Sequence, residues 1–202
     1  MKRFVRQINT DCFLISGGWL LVSNVVIDGS SPLPLSFETS YHGISSCDNN
    51  KTFLTDSAML ELRTHLSFSQ LRFHCSKQGG RTFHVATVTN SSGEAVVQYF
   101  SGQSNVQPYA CGSFVTMDDD DSEMAKRCHE WGADGWAAQS ENIVFKIGKW
   151  GPSYGIHGRL YNHVAFVVSL YHWHLYQDQG RLECDDYNVN VSSGDFWKVF
   201  VR

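Results

Sequence analysis

The sequence predicts an α+β fold, mostly β-sheet with few short helices and long loops. Three observations carry this. Short runs rich in β-branched and aromatic residues recur between glycine-containing turns, only one stretch has helical spacing, and Gly132 to Gly158 is Gly-, Trp- and Ser-rich without periodicity. At 202 residues and 42% hydrophobic composition, the chain buries a substantial core and fits one domain better than two.

The first strand is Trp19 to Ile27, which follows Gly17-Gly18, is rich in β-branched residues and ends at the turn signal Asp28-Gly29. A helix follows Thr55 or Asp56, either of which can cap it, with Ala58, Met59, Leu62 and Leu66 on one side. Leu71 to Cys75, Arg81 to Thr89 and Glu94 to Phe100 read as successive strands, with Gly79-Gly80 and Ser91-Ser92-Gly93 as the turns between them. A second short helix covers Ser122 to Cys128. Val164 to Val168, Tyr171 to Tyr176 and Phe196 to Arg202 return to sheet, the last with Trp197, Val199 and Val201 on one face and Phe196, Lys198 and Phe200 on the other.

The net charge of −4 comes without a basic cluster, which argues against a nucleic-acid partner. No apolar run is long enough to span a bilayer as a helix. Met1 to Thr10 is too polar for a signal peptide, so residues 1–11 read as an extension or truncated linker before a globular domain over 12–202. The six cysteines, Cys12, Cys47, Cys75, Cys111, Cys128 and Cys184, lack the close pairs of a zinc ribbon or redox motif. They point to disulfides and an oxidising, extracellular compartment, with buried free thiols as the other reading. Sequons at Asn50, Asn90 and Asn190 are compatible with secretion.

The most informative segment is the run Asp118-Asp119-Asp120-Asp121, because adjacent carboxylates repel one another unless something positive neutralises them. Ca²⁺, which takes six to eight oxygen ligands, is the obvious candidate, and a solvated surface loop is the bland one. The spacing is not that of an EF-hand, which needs a Gly at the sharp turn and a bidentate Glu at the twelfth position.

Taken together, Gly17-Gly18-Trp19 after a cysteine, Phe53-Leu54-Thr55 with the helix, Gln70-Leu71-Arg72-Phe73, and Phe114 through Cys128 resemble the fibrinogen-related C-terminal domain. The likeness is to the divergent form found in cnidarian extracellular and coral skeletal-matrix proteins. The resemblance implies a fibrinogen C-terminal-like fold with mainly antiparallel or mixed sheet. It also implies a calcium loop in which Asp120 and Ser122 fill the two main side-chain ligand positions, Asp118 lies one step earlier, and Met124 and Lys126 offer backbone carbonyls. Two departures stand out. Ser122 puts a hydroxyl where the family has a charged ligand, and no cysteine lies between Cys128 and Cys184, so Cys128 pairs with Cys111 or with Cys184. The partner of Cys12 is left open by the sequence, and Cys47 is one candidate, since that pair would close a loop over the first strand.

Other candidate chemistry is weaker. His172-Trp173-His174 places two imidazoles on one strand face, a pattern more often of hydrogen-bonded, partly buried side chains than of zinc ligands; His74 beside Cys75 and His129 beside Cys128 are weaker still. No Gly-x-Ser-x-Gly elbow is present. Asp185-Asp186 offers paired carboxylates for acid–base work or a second calcium segment. Trp131, Trp136, Trp150, Tyr154, Tyr161 and Trp173 form an aromatic set suited to sugar faces or to a core; Trp136 and Tyr154, in Gly-rich loops, are the ligand contacts expected. The combined expectation is an extracellular, secreted, calcium-stabilised recognition domain for carbohydrate or a matrix protein, not an enzyme, in a form that allows a homo-oligomer. An acidic structural component of an extracellular or mineralised matrix is the alternative, and a secreted hydrolase the third reading.

Overall fold

The structure, a computed structural model, describes residues 14–15, 17–29, 36–45, 51–131, 145–148, 159–161, 166–176 and 181–202. The strands are β1 (Leu14–Ile15), β2 (Trp19–Val26), β3 (Ser36–Glu38), β4 (Lys51–Leu54), β5 (Leu71–Ser76), β6 (Thr82–Thr87), β7 (Phe114–Thr116), β8 (Phe166–Val168), β9 (Tyr171–Tyr176), β10 (Arg181–Asp186) and β11 (Phe196–Val201). Three short helices accompany them, α1 (Asp56–Leu66), α2 (Ser91–Phe100) and α3 (Glu123–Lys126). The chain is thus mostly β-sheet with few short helices, as its composition of turns and β-branched runs predicts. No helix among the described residues is long and apolar enough to cross a membrane.

Among the described residues, the larger sheet has eight strands in the order β3-β4-β2-β11-β5-β6-β7, with β1 paired to β2, and its β3–β4 pair is the parallel one. β8, β9 and β10 form a separate antiparallel sheet. The last strand sits in the middle of the larger sheet, antiparallel to both β2 and β5. Its two faces divide as alternation requires. Trp197, Val199 and Val201 enter the main core, while Phe200 joins Trp19 and Ala86 in a small cluster on the opposite side, where the Arg72 guanidinium lies 3.9 Å from the Phe200 ring centre. A register shift against β2 falls between Val199 and Phe200.

Phe166 is the hub of the main core. Its ring centre lies 4.7 Å from that of Phe73, 5.0 Å from Trp131, 5.3 Å from Phe83 and 5.6 Å from Phe100, so β5, β6, β8, α2 and the segment after α3 meet at one side chain.

α1 begins as its sequence predicts, with the Thr55 hydroxyl accepting from the Ala58 N–H and with Ala58, Met59 and Leu62 buried; Leu66, in the final turn, is 44% exposed instead. α2 corrects an expectation, because Glu94 to Phe100 is helical and Ser91-Ser92-Gly93 is its first turn, not a hairpin loop. The Val-Val and Tyr-Phe pairs favour strand locally, but Asn90 caps the segment by accepting from the N–H groups of Ser92 and Gly93. Gly93, Val96, Val97, Tyr99 and Phe100 then share a buried face, and packing overrides propensity.

Gly93 has no room for a side chain: a Cβ there would stand 1.9 Å from the Val88 carbonyl oxygen. Gly93→Ala should therefore cost about 3 kcal/mol, lowering the melting temperature by roughly 6–12 °C in a chain of this size. Ala95→Gly in the same helix should cost only about 1 kcal/mol. Equal losses in thermal melts would show that close approach is not what this position requires of glycine.

Candidate functional site

β7 covers only part of β6, pairing from Val85 to Thr87. Below it, the acidic run takes over the edge. Met117 donates its N–H to the His84 carbonyl, the chain turns with Asp120 N–H returning to the Met117 carbonyl, and Asp121 N–H reaches the Thr82 carbonyl. The carboxylates complete the ladder as surrogate carbonyls, Asp120 accepting from the His84 N–H at 2.8 Å and Asp121 from the Thr82 N–H at 2.6 Å. Much of the charge in this run is thus met by protein donors.

The run ends in α3, whose first three N–H groups are all satisfied. Asp185 accepts from Glu123 N–H at 2.9 Å and Met124 N–H at 2.7 Å, and the Ser122 hydroxyl accepts from Ala125 N–H while donating to Asp120. Asp185 is 1% exposed and also binds the Arg81 guanidinium. The Trp131 indole N–H donates to the Met124 carbonyl at 2.7 Å, and a Cys111–Cys128 disulfide closes the segment. A second disulfide, Cys75–Cys184, ties β5 of the larger sheet to β10 of the smaller. Cys111 is therefore the partner of Cys128, and Cys184 is taken by Cys75. Cys12 and Cys47 lie outside the described residues.

On the sheet face away from the main core, the run covers a histidine pair. His74 on β5 and His84 on β6 are register partners, with ring centres 3.7 Å apart and planes within 4° of parallel. Asp119 lies over both, bonded through one oxygen to Nδ1 of His84 and standing 3.5 Å through the other from Nε2 of His74. A ring nitrogen from each histidine and an Asp119 oxygen all fall within 4.8 Å of one another. Burial pushes His74 down to about 3, helped by His84, Arg72 and Lys198 and opposed by Asp119. Burial also lowers His84, against the pull of Asp119. Partial burial pushes the Asp119 carboxyl up, but its hydrogen bond and charge interaction with His84, a backbone hydrogen bond and His74 together hold it below the ordinary carboxylate range.

The five residues named for calcium fall on this loop in different settings. Asp118 is exposed. Asp120 is half-buried, one oxygen receiving both His84 N–H and the Ser122 hydroxyl; burial, with Asp185 and Asp121 nearby, raises its carboxyl. Ser122 is buried and committed as the cap of α3. The Met124 carbonyl receives the Trp131 indole, and the Lys126 ammonium bridges the Asp121 carbonyl and Glu123. Among the described residues, no hydrogen bond reaches the Asp118 carboxylate or the second oxygens of Asp120 and Asp121, and these are of the hard type that Ca²⁺ prefers.

His172 and His174 face one buried carboxylate, Glu183, as a hydrogen-bonded core group; His172 Nδ1 is 2.8 Å from it. Burial opposes ionisation of Glu183, but His172, His174 and Arg181 outweigh it and hold the carboxyl well below its usual range. Trp131, Tyr161 and Trp173 are core residues, whereas Trp136, Trp150 and Tyr154 lie outside the described residues, as does Asn50. Asn90 caps α2. Asn190 lines a cleft of about 340 Å³ together with Lys77, Arg81, Asp185, Asp186 and Val189, in which Lys77 pairs with Asp186 at 2.7 Å. His84 and Asp119 are the residues that sequence reasoning misses. The signal was there in the hairpin: strands of equal length about the Gly79-Gly80 turn bring His84 opposite His74.

Comparison with protein-family models, with curated proteins and with solved structures finds no match to this chain.

Two outcomes follow from the geometry. Asp185→Ala leaves two α3 N–H groups without their acceptor and takes the carboxylate from Arg81, which keeps only the residue 185 carbonyl, and should cost about 2–4 kcal/mol. Hydrogen exchange should accelerate from Glu123 to Trp131 ahead of the β2–β11–β5 ladder; uniform acceleration would remove Asp185 as a local clamp. The histidine pair sets a pH dependence. The folded pKa of His74 lies below its unfolded value of 6.5, so the unfolded chain binds more protons between about 3 and 6.5. Stability from this group is full above pH 6.5 and is lost as pH falls through that window. Thermal melts in chelator should show the loss, with a shallower slope for His74→Gln; parallel slopes would contradict the assignment.

Proposed function

We propose that the chain is an extracellular recognition domain of the fibrinogen-related kind its motifs resemble, binding carbohydrate or a matrix protein, with Ca²⁺ held by the acidic loop. The observation that carries this reading is how firmly that loop is held. Segment 111–131 is closed by the Cys111–Cys128 disulfide, clamped from beneath by Asp185 and Trp131, and docked on the edge of β6. Such a loop meets a ligand with little ordering entropy left to lose, which favours binding. The two disulfides support an oxidising compartment.

Two features support calcium. Asp118 and the second oxygen of Asp120 offer hard donors, and the raised Asp120 carboxyl, crowded by Asp121 and Asp185, gains from a nearby cation. Because Ser122 is committed to α3, water supplies more of the coordination than in a fully charged site, and the binding is correspondingly weak. The cleft between the Gln78–Gly80 turn and residues 185–190 lies behind the same clamp; its paired charges and Asn190 are groups that hold sugar hydroxyls.

Calorimetric titration of the chelated protein with Ca²⁺ tests the reading. One saturable site per chain, lost in an Asp118→Ala, Asp120→Ala variant, followed by calcium-dependent binding to a glycan array, is the expected outcome. Many weak sites insensitive to the variant would replace it with the acidic matrix component, and no heat at all would remove calcium from the mechanism.

A further inference from the structure

We infer that His74, His84 and Asp119 form a binding site for a borderline divalent transition-metal ion of the Zn²⁺ kind, joining β5, β6 and the acidic loop. The donor set is two imidazole nitrogens and one carboxylate oxygen, which suits zinc and its neighbours and not calcium, a cation that takes oxygen ligands. Three protein ligands leave at least one position for water, the arrangement of an open zinc site.

The fold supplies the three groups from three separate segments. Register pairing on the β5–β6 hairpin brings the two rings together, and the turn after Met117 lays Asp119 across both. Ligand atoms around a tetrahedral zinc lie roughly 3.4 Å apart, so a set within 4.8 Å must close in by about an ångström or less per residue. The parallel rings must also tilt, since an ion cannot lie in both planes at once. Both motions are open to them. Among the described residues, each ring's only hydrogen bond or ion pair is to Asp119, and the Asp119 side chain is 56% exposed.

A second observation points the same way. Nε2 of His84 is buried with no hydrogen-bond partner, so the ring is not locked from its far side and its protein contacts leave it under-satisfied. Burial and the Arg72 guanidinium disfavour the protonated form of each imidazole, with Lys198 adding to the effect on His74, which is the direction that metal ligation needs. Those cations also oppose a bound dication, which places the site among accessible, exchangeable ones. The inference does not depend on the calcium reading, since it uses different donors and a different ion.

The test uses the untagged full chain, stripped with chelator and titrated with Zn²⁺ by calorimetry and with Co²⁺ by visible absorption. Wild type should bind one ion per chain, show the d–d bands of nitrogen-ligated Co²⁺, and melt at a temperature that rises with Zn²⁺ concentration. His74→Gln, His84→Gln and Asp119→Asn should each lose affinity by roughly tenfold or more, and His129→Gln, on an exposed residue, should not. Melts in chelator verify folding; if His84→Gln fails to fold, His74→Gln and Asp119→Asn still decide. Absence of saturable binding, or equal binding by all variants, would overturn the site, and Ca²⁺ titration of the same samples reports separately on the Asp118 and Asp120 oxygens.

Discussion

Much of this structure depends on one buried carboxylate. Asp185 sits in a bulge of β10 with φ near +51°, a backbone conformation that costs an L-residue about 1–2 kcal/mol. The return is three charge-assisted contacts, to Glu123 N–H, Met124 N–H and Arg81, at a point where the small sheet, the β5–β6 hairpin and the acidic loop converge. The neighbouring Cys184 is bonded to Cys75, so the bulge cannot slide along β10 without straining a covalent link to the other sheet. Position and orientation of the acidic loop are set from below.

From the side, the loop is set by its own charges. A run of four aspartates is self-repelling in isolation, yet here two of the carboxylates finish the hydrogen-bond ladder of β6 and a third covers the histidine pair. The same residues that discourage a foreign strand from adding to the sheet also hold the loop in register. Repulsion in sequence becomes complementarity in space because the aspartates reach donors on different residues.

The fold was legible where local pattern and burial agree. Trp19 to Ile27 and Leu71 to Cys75 read correctly because apolar runs bounded by turn signals suit largely buried strands, and the two faces of the last strand because period-two alternation maps onto core and opposite side. Glu94 to Phe100 misled because its residues prefer strand, while the deciding terms were a cap at Asn90 and a glycine pressed against a carbonyl, neither of them a property of the apolar pattern. The acidic run announced that it needed partners but could not name them, since His84 and Thr82 are 35 or more residues away and Asp185 more than 60. Likewise the histidine pair is a consequence of hairpin register, which a single wrong turn length would have hidden.

The placement of β11 carries a consequence for how the chain is made. Until residues 196–201 leave the ribosome, β2 and β5 each lack the neighbour that fills the space between them, and both present open hydrogen-bonding edges backed by apolar side chains. From the end of β5 until β11 is made, both of these edges therefore stay open, and one long-range step closes them. A chain lacking that strand exposes the centre of its sheet, where two open edges invite pairing with another chain.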